Sequence, residues 1–266
     1  MGVNLVAGRV LVTGATGGIG QAISRAFARR GASLVLTGRR ADVLSALAAE
    51  LSAESVVADL SEAGDVDRLV LFAGEVDVVV ANAALPASGL LSELSQAQID
   101  NMLEVNLRAP IALARAFSPR MAARRRGHLV FISSLSAKAT APSSSIYSAT
   151  KFGLRGFALG LREDLRRDGV GVSLVLPGFI SEAGMFAESA VKLPPGVGTR
   201  TPEQVAAAVL LAVERDRAEV TVAPLSLRIG ADIASVAPGV SAAFQRIAGG
   251  AKVARAVSDG QSVKRP

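Results

Sequence analysis

The feature that most limits the fold is an alternation of short, continuously apolar, β-branched runs with longer helix-length stretches. The runs are Val10–Thr13, Ser33–Thr37, Val56–Ala58, Val76–Ala81, Leu129–Ser133, Val172–Leu176 and Val220–Val222. A strand with one wet face alternates apolar and polar residues. These runs mostly do not, so both their faces are predicted to be covered, as in parallel sheets. The stretches between them are Ile19–Arg30, Ala41–Leu51, Asp65–Phe72, Gln96–Arg124, Tyr147–Arg167 and Pro202–Arg215. The last has Thr201 in front as a cap and Pro202 at its first helical position. This order predicts an α/β fold: one doubly wound parallel sheet of about seven strands with helices on both faces, a single domain over residues 1–224. Phe179–Arg200, with Gly184, Pro194, Pro195, Gly196 and Gly198, breaks the alternation and is read as a lid. Leu225–Pro266 is read as a C-terminal extension, helical or partly disordered.

Composition narrows the chemistry. Half of the 266 residues are apolar and 20% are charged, enough for a large core. There is no cysteine, which excludes disulfides, thiolate metal sites and cysteine nucleophiles. His128 is the one histidine, so a site built on several imidazoles is not expected, and no metal is expected. It precedes the fifth strand and is read as a strand-start residue without chemistry. The net charge of +6 is scattered along the chain. Its densest run, Arg124-Arg125-Arg126, reads as a solvated helix end, and nucleic acid is not an expected partner. A phosphorylated cofactor accounts for part of the charge. The N-terminus lacks the pattern of a secretion signal, and no stretch has the roughly 18 to 20 apolar residues needed to span a bilayer. A cytoplasmic protein is expected.

Right after the first strand stand Thr13-Gly14-Ala15-Thr16-Gly17-Gly18-Ile19-Gly20, and a helix opens there. Glycines in this context permit a tight turn and close backbone approach to a diphosphate, which the helix N-terminus then faces with free N–H groups. The second strand ends at Thr37-Gly38-Arg39-Arg40. An acidic residue at this place holds ribose hydroxyls in dinucleotide sites. Arg39 instead attracts a ribose phosphate, which favours NADP(H) over NAD(H). The alternative is that both arginines merely begin a solvated helix.

The only tyrosine, Tyr147, lies four residues before Lys151, so a helix puts both on one face. A free phenol has a pKa near 10, and a neighbouring ammonium lowers it. Bringing it about two to three units toward neutrality takes about 3 to 4 kcal/mol from its surroundings. Ser134, at the end of the fifth strand, offers a hydroxyl to a carbonyl oxygen on which charge builds.

Taken together these motifs resemble the short-chain dehydrogenase/reductase family over about residues 8 to 224. The resemblance implies a Rossmann-type sheet. It implies a cofactor turn at Gly14, Thr16, Gly17, Gly18, Ile19 and Gly20, and an adenine contact at Asp59 and Leu60. Asn82-Ala83-Ala84 is similar to the family's Asn-Ala-Gly element, with Ala84 in place of glycine. Pro177-Gly178, with Ile180 beyond, is similar to the turn bordering the nicotinamide. Asn106, Ser134, Tyr147 and Lys151 match the catalytic set. The resemblance implies that Tyr147 donates the proton in reduction and removes it in oxidation, and that Ser134 polarises the substrate oxygen. Lys151 binds the nicotinamide ribose and lowers the tyrosine pKa, and Asn106 holds a water linking Lys151 to solvent. Where the family often has a threonine past the Pro-Gly turn, this chain has Glu182, expected to point away, with Ser181 as a substitute.

The lid residues Phe179, Met185, Phe186, Ala187, Val191 and Leu193 point to a lipophilic carbonyl or alcohol: a fatty, isoprenoid or steroid-like molecule. A keto-acyl thioester and a small ketone stay open. The other readings are a non-catalytic cofactor-binding or scaffold protein on the same fold, and a membrane-peripheral protein acting through its basic tail. The family implies a homo-tetramer or homo-dimer.

Overall fold

The computed structural model describes residues 8–86, 89–182 and 198–239. Seven parallel strands form one sheet: β1 (Arg9–Val12), β2 (Ser33–Gly38), β3 (Glu54–Val57), β4 (Val78–Ala81), β5 (Gly127–Ile132), β6 (Val170–Pro177) and β7 (Glu219–Val222). Their order is β3-β2-β1-β4-β5-β6-β7. The helices are α1 (Gly18–Ala28), α2 (Ala41–Leu51), α3 (Ala63–Ala73), α4 (Gln96–Leu103), α5 (Ala109–Ala123), α6 (Ser145–Leu165), α7 (Pro202–Glu214) and α8 (Leu225–Val236). The chain runs outward from β1 to β3, then jumps back to β4. The crevice between β1 and β4 is therefore the point where the order reverses, the place where ligands gather in such sheets.

The continuous apolar runs are explained by two cores. Neighbouring strand residues point to opposite faces. Val10, Val12, Leu34, Leu36, Val78 and Val80 pack with α1, α2 and α7 in one cluster. Leu11, Val35, Val79, Leu129 and Phe131 pack with α3, α5 and α6 in the other. At the head of α7 the Thr201 hydroxyl accepts from the Gln204 N–H and the Gln204 side chain accepts from the Thr201 N–H, with Pro202 in the first turn. That reciprocal pair satisfies two helix-end donors.

Two expectations are corrected in detail. Gln96–Arg124 is not one helix: a π turn, Glu104–Arg108, separates α4 from α5. Pro110 stands in the first turn of α5, where its missing N–H leaves the carbonyl of Asn106 without an α-helical donor. The strand expected at Leu129–Ser133 ends at Ile132, which leaves Ser133 and Ser134 free to turn. The extension is helical over Leu225–Val236; its part beyond 239 lies outside the described residues, as do lid residues 183–197 with Met185, Phe186, Ala187, Val191 and Leu193. The lid's neck is described: Ile180 bridges Arg200, Arg200 N–H donates to Phe179 O at 2.9 Å, and Ser181 N–H donates to Arg200 O at 2.9 Å. Glu182 is exposed. Among the described residues no helix is long and apolar enough to cross a membrane, and no cluster of His, Asp and Glu is placed to hold a metal.

His128 sits at the opposite end of the sheet from the strand C-termini. It is buried and its Nε2 lies 2.8 Å from Ser173 Oγ, which donates to Arg217 O at 2.6 Å. Burial pushes its pKa down to about 4; Asp216 opposes the shift and Arg162 adds to it. The unfolded chain binds the proton near pH 6.5 and the folded chain does not until about 4. Stability is therefore full above about pH 6.5 and falls as pH drops toward 4, by about 3 kcal/mol in all. Urea unfolding at a series of pH values should trace that decline, and the single imidazole should titrate near 4 by NMR; a midpoint near 6.5 would contradict the burial.

Candidate active site

The turn after β1 is held from three sides. Thr13 Oγ1 accepts from the Asn82 and Ala83 N–H groups at 3.0 and 3.1 Å. Asn82 Nδ2 donates to Thr13 O at 3.0 Å and to Gly14 O at 3.2 Å. Ala15 N–H donates to Thr37 O at 2.9 Å. Gly14 has φ +62°, and a Cβ there would lie 2.8 Å from Ala83 Cα. A Cβ on Gly20 would lie 2.2 Å from Gly14 O, so the turn closes against the helix only because both residues are glycine. Gly17, before Gly18 and Ile19 of the first turn, offers no side-chain cap, and that turn holds no acidic residue. The free N–H groups and the positive end of α1 are thus left for an anion.

Beside this turn stand the two arginines. Arg39 is half exposed and pairs with Asp59 at 3.7 Å. Asp59 also accepts from Ser61 N–H at 3.0 Å and Ser61 Oγ at 2.8 Å. Burial opposes its charge, but the Ser61 hydrogen bonds and Arg39 hold its carboxyl below the usual value. Leu60 is buried in the core next to it. Arg40 was not singled out by the sequence, yet its guanidinium donates to the carbonyl of Thr16 inside the glycine turn. The only signal for it was its place beside Arg39. Two guanidiniums at the end of β2 and uncapped N–H groups at α1 make a fit for a phosphorylated dinucleotide; Thr16, Gly17, Gly18, Arg39 and Arg40 are the residues that could hold it.

At the ends of β5 and β6 the remaining residues converge. Ser134 caps the short turn Leu135–Ala137, with Oγ accepting from Ser136 N–H at 3.1 Å. The Ser134 hydroxyl neighbours the Tyr147 phenol and favours its ionised form. Burial raises the Tyr147 pKa and the Ser134 hydroxyl partly offsets it, for a net rise. The ring packs against Leu85, Met102 and Val105, with Leu94, Ile99 and Ile146 around them. Lys151 is 2% exposed, and its Nζ lies 5.6 Å from the Tyr147 ring centroid. The ammonium donates to Ile132 O at 3.1 Å rather than to the phenol oxygen. Desolvation lowers the Lys151 pKa to about 8.

Asn106 is buried in the π turn. Its Oδ1 accepts from Leu85 N–H at 2.7 Å and its Nδ2 donates to Leu85 O at 3.0 Å. Both ends of its side chain thus fix the backbone that leaves β4 through Asn82, Ala83 and Ala84. Pro177 ends β6, and Gly178 N–H donates to Val222 O at 3.0 Å. Ile180 is buried against the core that carries Ala15 and Ile19.

Comparison with known proteins fits this geometry. Residues 8–193 match the family model described as short chain dehydrogenase. The ketoacyl reductase HetN of Nostoc sp. (strain PCC 7120) is 34% identical over 222 residues, covering 80% of this chain and 77% of that protein. Two solved structures share the fold. A metagenomic short-chain oxidoreductase in complex with NADP has a TM-score of 0.70 at 35% identity, covering 83% of this chain and 99% of its own. A short-chain dehydrogenase from Sphingobium yanoikuyae in complex with NADPH has a TM-score of 0.76 at 28% identity, covering 91% of this chain and 95% of its own.

Burying an ammonium works against stability. With the Lys151 pKa at about 8 when folded and its ordinary value of 10.5 when unfolded, the penalty is full below pH 8 and relaxes as pH rises to 10.5. Lys151→Met is therefore expected to stabilise the fold at pH 7 by about 1 to 3 kcal/mol, the lost bond to Ile132 O offsetting part of the gain. Urea unfolding measures it; a clear loss of stability would contradict the desolvation account.

Proposed function

This chain belongs to the short-chain dehydrogenase family, and on that premise we propose that it is an NADP(H)-dependent oxidoreductase that interconverts a lipophilic carbonyl and its alcohol, with Tyr147 as the proton-transfer residue. The observation that carries the reading is the Ser134–Tyr147 hydroxyl pair over a buried ammonium, at the carboxyl end of the sheet. The bound cofactor supplies or accepts the hydride.

In reduction the substrate oxygen lies between the two hydroxyls. Ser134 donates to it and stabilises the charge that builds there, and Tyr147 delivers the proton. Burial keeps the phenol protonated at neutral pH, the form that a proton donor needs. Lys151 would hold the cofactor ribose, and its buried cation, 5.6 Å from the Tyr147 ring centroid, favours the phenolate and so eases release of the proton. Asn106 holds the loop after β4 through Leu85. The water that the family resemblance places at Asn106 would link Lys151 to solvent, while both polar ends of the Asn106 side chain are taken by Leu85.

NADP(H) is preferred because the end of β2 carries Arg39 and Arg40 and no carboxylate, and NAD(H) is the lesser alternative. The apolar wall of Leu85, Met102 and Val105 beside Tyr147 supports a substrate with an apolar body, whether fatty, isoprenoid or acyl. The chain acts as a homo-dimer or homo-tetramer, as the family implies.

The test is NADPH oxidation, followed by absorbance, against a panel of ketones and aldehydes. Tyr147→Phe is expected to lower kcat by at least about a hundredfold. Arg40→Ala is expected to raise the KM for NADPH by about tenfold or more while leaving that for NADH nearly unchanged. Activity that survives Tyr147→Phe would overturn the assignment.

A further inference from the structure

Four charged side chains outside the site form one network that joins the two segments carrying the reacting hydroxyls. Lys138 follows the short turn that Ser134 caps, and it is 9% exposed. Its ammonium donates to Asp232 of α8 at 3.0 Å and reaches Glu219 Oε2 at 3.2 Å. Glu219 opens β7. It accepts from Arg155 Nε at 2.5 Å through Oε1 and from Arg155 Nη2 at 3.3 Å through Oε2. Arg155 stands on α6, one turn beyond Lys151 and about two beyond Tyr147.

An exposed pair would contribute little. Here the Glu219 and Arg155 side chains are only 20% and 27% exposed, so removing one charge strands its partner away from water. Burial opposes the Glu219 charge, but the hydrogen bonds from Arg155 and Lys138 outweigh it and keep the carboxyl ionised. A single carboxylate is thus gripped from both sides, by the segment after Ser134 and by the helix of Tyr147.

We propose that Glu219 is a positioning residue that ties the Ser134 segment to α6 and so holds the Ser134 and Tyr147 hydroxyls next to each other. The inference rests on the site reading above. Nothing in it requires Glu219 to touch substrate or cofactor. Asp232 extends the tie to α8 and anchors that helix over the same segment.

Glu219→Gln keeps the shape and removes the charge. It is expected to lower kcat about tenfold and to leave the KM for NADPH within about twofold. In a Ser134→Ala background the same change should cost less than about twofold, because the distance it maintains no longer matters. A second readout needs no turnover. The chain has one tyrosine and no tryptophan, so near-ultraviolet absorbance reports the Tyr147 phenolate alone. Moving the Ser134 hydroxyl away should move its titration midpoint upward in Glu219→Gln. Should that variant not fold, Arg155→Gln removes the α6 side of the tie and leaves Lys138 paired. Equal kcat losses in both backgrounds, or a phenol titration that does not move, would overturn the role. A parent chain that oxidises no NADPH would defeat the function proposed above, while the titration would still decide the role of Glu219.

Discussion

The structure is organised around a buried cation. Lys151 keeps its ammonium almost wholly away from water, with the carbonyl of Ile132 as its hydrogen-bond partner and the Tyr147 ring beside it. Desolvating an ammonium is unfavourable unless polar groups replace the lost water. The end of β5 supplies that replacement. The strand stops at Ile132, and the carbonyl that receives the ammonium is followed by Ser133, whose hydroxyl donates to Lys151 O at 3.4 Å, and by Ser134, beside Tyr147. One strand end thus fixes the lysine, the serine and, through α6, the phenol.

The cofactor half depends on a different constraint, the reversal of strand order between β1 and β4. Two strand ends emerge there side by side, and Thr13 and Asn82 lock them together through four hydrogen bonds between side chain and backbone. The glycine turn is therefore shaped before any ligand arrives, and preorganisation of this kind lowers the entropic cost of binding. Asn106 repeats the device one step along, holding Leu85 in the loop that leaves β4. Rigid strand ends and short side-chain clamps place the two halves against each other.

Much of this was legible in the sequence because it depends on local pattern. Strands buried on both faces write themselves as unbroken apolar runs, and each of the seven falls within a few residues of its expected place. The glycine turn and the Tyr147–Lys151 spacing are likewise local. What was not legible comes from contacts between distant segments. The stretch Gln96–Arg124 holds two prolines, Pro110 and Pro119, of which only the first stands beside the π turn while α5 runs on through the second. That Lys151 would face Ile132 O depends on where β5 stops. Arg40 reaches Thr16 only because β2 lies beside β1, and Glu219 meets Lys138 and Arg155 only because β7 joins the sheet beside β6. None of these pairings has a sequence spacing that announces it.

The central claim is that Tyr147 is a phenol kept protonated by burial and drawn toward neutrality when a cationic ring joins Lys151 at the site. Its direct test is the absorbance titration of this single tyrosine with and without NADP+. The account predicts a midpoint above the ordinary value of about 10 in the free chain and a clear fall when NADP+ is bound. A midpoint at the ordinary value that NADP+ leaves unmoved would contradict it.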